Sequence, residues 1–204
     1  MSEIFFVSLN DTSSLHINKN EIKRYLSICK GDTQSDELIS WGISQIYKVA
    51  KPRAVYFIDK ILLMDDQITF SFDTVKSTSL SKNLCGCDRA FVFCATIGIE
   101  VDRLIQKYAK IEPSKSVVLN SVASALIEEF CDYVNDLLKK KAELCPRFSA
   151  GYGDYSINHQ KKILEELDAS KKLGVSLTES YMMTPTKTVT AVVGIKNINT
   201  ENEK

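Results

Sequence analysis

Residues Cys87–Thr96 read CDRAFVFCAT, and the fold turns on how that run is taken. From Ala90 to Ala95 the apolar positions are continuous, a pattern that predicts a strand inside a sheet rather than at its edge. Upstream, Arg53–Met64 (RAVYFIDKILLM) and Gln67–Phe72 (QITFSF) are rich in β-branched and aromatic residues and flank Asp65-Asp66, a tight hairpin turn. A sheet therefore begins at residue 53. Residues 4–9 add a short strand near the start, and Val175–Leu177 and Lys187–Ile195 add two near the end, while Asp73–Asn83 is polar and rich in Ser and Thr.

Between these runs the apolar spacing switches to the helical period. His16–Cys29 places Ile22, Leu26 and Tyr25 on one side, with Asn18 or Asn20 as the cap. Asp36–Lys51 carries Leu38, Ile39, Ile43, Ile46 and Tyr47 at helical steps and ends at Lys51-Pro52. Gly98 opens a helix to Lys110, and Pro113 starts a long one to about Lys141 whose stripe is Leu119, Ala123, Leu126, Phe130, Tyr133 and Leu137. Ser156 caps a last helix with Ile157, Ile163, Leu164 and Leu167 inward, stopped at Gly174. The expected class is α+β, a mainly antiparallel twisted sheet with long helices packed around it. Residues 1–52 read as an N-terminal helical subdomain, 53–195 as one α+β unit and 196–204 as a frayed tail.

Composition narrows the function classes. Lys plus Arg and Asp plus Glu both number 26 in 204 residues, so no overall field gathers nucleic acid or anionic membrane. No apolar run approaches the roughly 20 residues of a membrane helix, and the start lacks the features of a secretory signal. A cytoplasmic protein is expected. Its six cysteines then read as reduced, mostly buried thiols. Cys85, Cys87 and Cys94 are the candidates for a thiol or metal site, but Cys-x-Cys lacks the paired Cys-x-x-Cys spacing of a zinc ribbon, so no metal ligand is assigned.

The densest chemistry lies in Arg147–Pro185, RFSAGYGDYSINHQKKILEELDASKKLGVSLTESYMMTP. Arg147 offers a planar donor fork for a carboxylate. Ser149, Ala150 and Gly151 let a ligand approach the backbone, and Tyr152 adds an aromatic face with a hydroxyl. The competing reading of Arg147 is an ordinary surface ion pair. On the long helix Glu128 shares a small polar face with Ser121, Ser124 and Cys131; it is either a ligand acceptor or a solvated carboxylate like Glu129.

The order Arg147–Tyr152, Leu177–Ser180 (LTES), Met183, Pro185 and Thr188-Val189-Thr190 resembles the activation domain of cobalamin-dependent methionine synthase, whose pattern is R-x-x-x-G-Y, a helix, L-T-E-S, then M-x-P-x-x-S-V-S. Thr188 and Thr190 stand where that pattern has serines. The similarity runs over roughly residues 88–195, and the N-terminal region, with RYL at Arg24–Leu26, looks like the short stand-alone members of the family. The resemblance implies an S-adenosylmethionine site formed by Glu128, Arg147, Ala150, Gly151 and Tyr152, with Glu179 and Ser180 shaping it. It implies no catalytic side chain, because the methyl donor need only be positioned. Family cobalamin modules carry a D-x-H-x-x-G signature that neither His16 nor His159 fits, so cobalamin is expected only on a partner methyltransferase chain, with a flavodoxin- or ferredoxin-like reductant. The expected role is thus an accessory reactivation component in methionine biosynthesis; the alternative is a non-catalytic S-adenosylmethionine sensor or docking protein for the same partner.

Overall fold

The computed structural model describes residues 3–26 and 33–196. Its main sheet has four strands in the order β1 (Phe5–Ser8), β2 (Arg53–Lys60), β6 (Cys87–Thr96), β9 (Thr188–Lys196), every pairing antiparallel. β6 is an interior strand with the predicted limits. The reason for its unbroken apolar run is visible in the packing, since both faces of the sheet are covered. Alternate residues serve two separate cores: Tyr56, Phe91, Phe93 and Val193 face one, while Phe57, Val92, Cys94 and Val192 face the other.

The first core is roofed by α1 (Lys19–Tyr25), α2 (Thr33–Val49), α4 (Ile99–Ile111) and α5 (Pro113–Lys139). Asn18 is the cap of α1, its side chain accepting from the Asn20 amide. The expected continuation of this helix to Cys29 falls outside the described residues, and Tyr25, expected on the inner side, is exposed. Along α5 the buried stripe is Leu119, Ala123, Leu126, Phe130, Val134 and Leu138. Tyr133 is only partly buried and packs on the core from its edge, and Val134 and Leu138, not Leu137, complete the stripe; a straight helix drifts against a strict four-and-three rhythm. Residues before 53 share this sheet and core with the rest, β1 through β2 and α1 and α2 through α5.

The second core lies beneath a smaller three-stranded sheet, β3 (Leu62–Met64), β4 (Gln67–Thr69) and β5 (Thr74–Lys76), with α3 (Thr78–Asn83), α6 (Gln160–Glu166) and α7 (Ala169–Leu173). Here the expected strand Arg53–Met64 divides. β2 ends at its Lys60–Arg89 pairing, the Ile61 amide donates to the Asp88 carbonyl, and the chain leaves for the second sheet. The hairpin turn at Asp65-Asp66 stands as expected, with Asp65 in the left-handed region. A last hairpin joins β7 (Ser176–Leu177) to β8 (Met183–Thr184). Beyond Lys196, which belongs to β9, the expected frayed tail lies outside the described residues.

Fully buried Phe130 carries the widest part of the α5 stripe. Its replacement by Ala leaves a cavity the sheet cannot close, and Phe130→Ala is expected to lower unfolding free energy by about 3–5 kcal/mol in urea titrations followed by circular dichroism.

Candidate functional site

β9 is an edge strand, and the segment after α5 lies along its open side. The Lys196 amide donates to the Glu143 carbonyl and the Cys145 amide to the Gly194 carbonyl, both at 2.9 Å. Phe148 and Val192 exchange both amide–carbonyl bonds, at 2.9 and 2.8 Å. Pro146 has no amide to place. These main-chain bonds deliver Arg147 to the side of α5, where Nη2 donates to Asp132 Oδ1 at 2.9 Å and to Glu128 Oε2 at 3.4 Å. The two acids are one helical turn apart. Nη1 is buried and has no hydrogen-bond partner among the described residues. Arg147 therefore forms its ion pairs through one nitrogen, and its guanidinium lies against the buried Cys131 thiol.

After Arg147 the chain turns tightly. Gly151 has φ +96° and its amide donates to the Tyr155 carbonyl at 2.7 Å. Gly153, also left-handed, passes so close to Ser79 that an added Cβ would meet its hydroxyl at 2.7 Å. Asp154 then ties the loop to α3, accepting from the Ser77 hydroxyl and from the Thr78 and Ser79 amides. These bonds, the Ser77 hydroxyl first, hold its carboxyl well below the usual carboxylate range. The outcome is an immobile turn that presents the exposed ring of Tyr152.

A cavity of about 480 Å³ opens beside this turn, and Glu128, Arg147, Ala150 and Tyr152 all line it. The structure thus brings together four of the seven expected residues. Gly151 shapes the turn behind the lining. Glu179 and Ser180 sit exposed at the tip of the β7–β8 hairpin, outside the lining. Within that tip the Thr178 hydroxyl accepts from the Met182 amide at 3.0 Å, which sets the hairpin's geometry next to Met183, itself a wall of the cavity. Phe148, Thr188, Val189 and Thr190 complete the floor.

Gln160 also lines the cavity and escaped the sequence reading; it is buried and its amide reaches the Tyr181 carbonyl at 3.4 Å. No sequence pattern marks a glutamine at a helix start as inward. Ile157, expected inward, is instead partly exposed. His159, expected on a solvated face, contacts buried Asp73 through Nδ1 at 2.6 Å and packs against Tyr155. Lys162 reaches the other oxygen of Asp73 at 2.5 Å. Burial works to raise the Asp73 pKa, but the bonds from Lys162 and His159 outweigh it and the carboxyl lies below its ordinary value.

The thiols are dispersed. Cys85 is exposed; Cys87 and Cys145 are buried with sulfurs 3.6 Å apart, and Cys94 and Cys131 are buried elsewhere. Burial pushes the Cys131 thiol, beneath Arg147, up to about 12, so it remains a neutral packing group. Among the described residues no group of three His, Cys, Asp or Glu is arranged to hold a metal, and no helix is long and apolar enough to cross a membrane.

Comparison with known proteins agrees with the motif reading. Residues 133–200 match the family model described as vitamin B12 dependent methionine synthase, activation domain. The fold superimposes on a crystal structure of the MetH reactivation domain bound to AdoHcy with a TM-score of 0.72, at 16% identity, covering 95% of this chain and 78% of that one. No curated protein matches by sequence. The family match spans Arg147–Tyr152 and Leu177–Ser180 but stops short of Glu128, whose place in the site therefore rests on geometry.

The Asp73 cluster anchors α6 and with it Gln160. Because the folded Asp73 pKa is depressed, its stabilisation is present above the unfolded value of about 4 and is lost as pH falls through the folded value. Asp73→Asn is expected to lower the urea midpoint clearly at pH 7 and to differ less and less from wild type below about pH 4.

Proposed function

We infer, from a chain whose C-terminal third matches the cobalamin-dependent methionine synthase activation domain and whose fold follows a reactivation domain, that the Arg147 cavity binds S-adenosylmethionine and that the protein serves the reductive methylation of a partner's cobalamin. The observation that carries this reading is the convergence of Glu128, Arg147, Ala150 and Tyr152 on one cavity. A ligand carboxylate in that cavity is placed beside the Arg147 guanidinium, whose charge favours it. The ligand's amine then has Glu128 beside it, and Tyr152 offers an exposed ring for the adenine to stack on.

The chain's own contribution is positional. Its residues grip the amino-acid end of the ligand and leave the open side of the cavity for the reacting partner, which is how binding converts an encounter into a near-unimolecular step. Cobalamin supplies the methyl-accepting cobalt when it is presented. The corrinoid is assigned to a partner methyltransferase chain, with a flavodoxin- or ferredoxin-like protein as electron source, because neither His16 nor His159 stands in the D-x-H-x-x-G signature of family cobalamin modules.

Isothermal calorimetry with S-adenosylmethionine is expected to show one site, weakened by about 1.5–3 kcal/mol in Arg147→Ala, the scale of a lost charged hydrogen bond; unchanged affinity would remove the carboxylate assignment. Mixed with a cobalt(II) corrinoid methyltransferase partner, a reductant and S-adenosylmethionine, the protein is expected to yield methylcobalamin by absorbance. Ligand binding without that product assigns the site to sensing instead.

A further inference from the structure

The groove does not end at Glu128. On the far side of that residue a second lobe of about 470 Å³ lies between the N-terminal half of α5 and the start of β9, sharing Glu128, Thr188 and Val189 with the Arg147 lobe. Lys187 stands in it, half-buried, with Nζ donating to Ser124 Oγ at 2.9 Å. We propose that this lobe is an oxyanion subsite, separate from the Arg147 lobe, that takes a carboxylate or phosphate group on Lys187 and Ser124.

The balance of donors and acceptors argues for it. An ammonium has three N–H donors, and Lys187 uses one, on a neutral hydroxyl. Ser124, having accepted that bond, keeps its own O–H to donate. Three neighbouring hydroxyls are committed: Thr186 donates its amide and Oγ1 to Asp102 at 2.7 and 2.6 Å, Thr188 donates to the Pro185 carbonyl at 2.7 Å, and Ser121 donates to the Val117 carbonyl at 3.1 Å; Tyr25 and Asn120 also line the lobe. Among the described residues Glu128 is the one acid in the lining, and Arg147 engages its Oε2. Asp102 is near enough to favour the ammonium, yet both of its oxygens are taken by Thr186. The lobe thus presents open donors on Lys187 and Ser124 with a positive charge beside them. Burial pulls the Lys187 pKa down, against Asp102, the state of a cation that has lost water without gaining a bonded counter-ion. An oxyanion on Nζ and Ser124 Oγ reverses that loss.

This holds whatever fills the Arg147 lobe, and the test keeps the two apart. In the full-length protein with lysine ε-carbons labelled, inorganic phosphate and acetate are titrated separately while the Lys187 resonance, identified by its absence in Lys187→Met, is followed by NMR. The expected result is a saturable shift at Lys187 with at least one anion, affinity reduced about tenfold or more in Lys187→Met by calorimetry, retained in Lys187→Arg and retained in the double variant Arg147→Ala/Glu128→Gln, which removes the cation of the first lobe without freeing the shared carboxylate. Whichever anion binds tighter tells phosphate from carboxylate. A shift that never saturates, one shared equally by the surface lysines, or one abolished in the double variant overturns the proposal. Failure of S-adenosylmethionine to bind would refute the reading of the first lobe and leave this result standing.

Discussion

Burial of the central sheet on both faces is the constraint from which the rest of the molecule follows. With Phe91 and Phe93 committed to one core and Val92 and Cys94 to the other, neither face is available for a ligand. Space for one arises at the rim, where the outer edge of β9 meets α5. Because β9 is reached last in the chain, the segments before and after α6 converge on that rim, and the floor and walls of the groove come from residues far apart in sequence.

Three aspartates hold those converging segments in place. Asp154 fastens the turn after Arg147 to the start of α3, Asp73 fastens the start of α6 beneath the small sheet, and Asp102 on α4 fastens Thr186 just before β9. Each accepts from two or more donors distant in sequence, so loops without a core of their own are fixed by charge-assisted bonds. The chain carries no net charge, and its electrostatic organisation is local. Around the groove, one guanidinium shares two carboxylates and one ammonium has none bonded to it.

What could be read from the sequence follows what each residue pattern physically encodes. The unbroken run of β6, the stripe of α5 as far as Phe130, the Asn18 cap and the Asp65-Asp66 turn are local signals, and the structure carries each of them. The strand break at Ile61 was hidden because β-rich composition does not reveal which sheet a strand joins. α3 and β5 were hidden in the polar stretch 73–83 because contacts from Asp154, more than seventy residues away, organise it. Of the expected site residues, Arg147, Ala150 and Tyr152, taken from a compact motif, and Glu128, taken from the family resemblance, line one cavity. Gln160 and Lys187 were not legible, since a buried amide and a half-buried ammonium look in sequence like ordinary surface residues.

The segment that carries Arg147 also completes the sheet. By taking the outward amides and carbonyls of β9 at Val192, Gly194 and Lys196, residues 143–148 deny that strand to any passing chain, the role that natural proteins assign to edge-protecting elements. Pro146 and the bulky charged side chain of Arg147 make the new border a poor template in turn. The residue proposed to meet the ligand and the backbone that covers the sheet edge therefore lie in the same six residues. A change there that loosens the backbone bonds exposes an unpaired strand edge, so solubility sets a limit on how far this wall of the groove is free to vary.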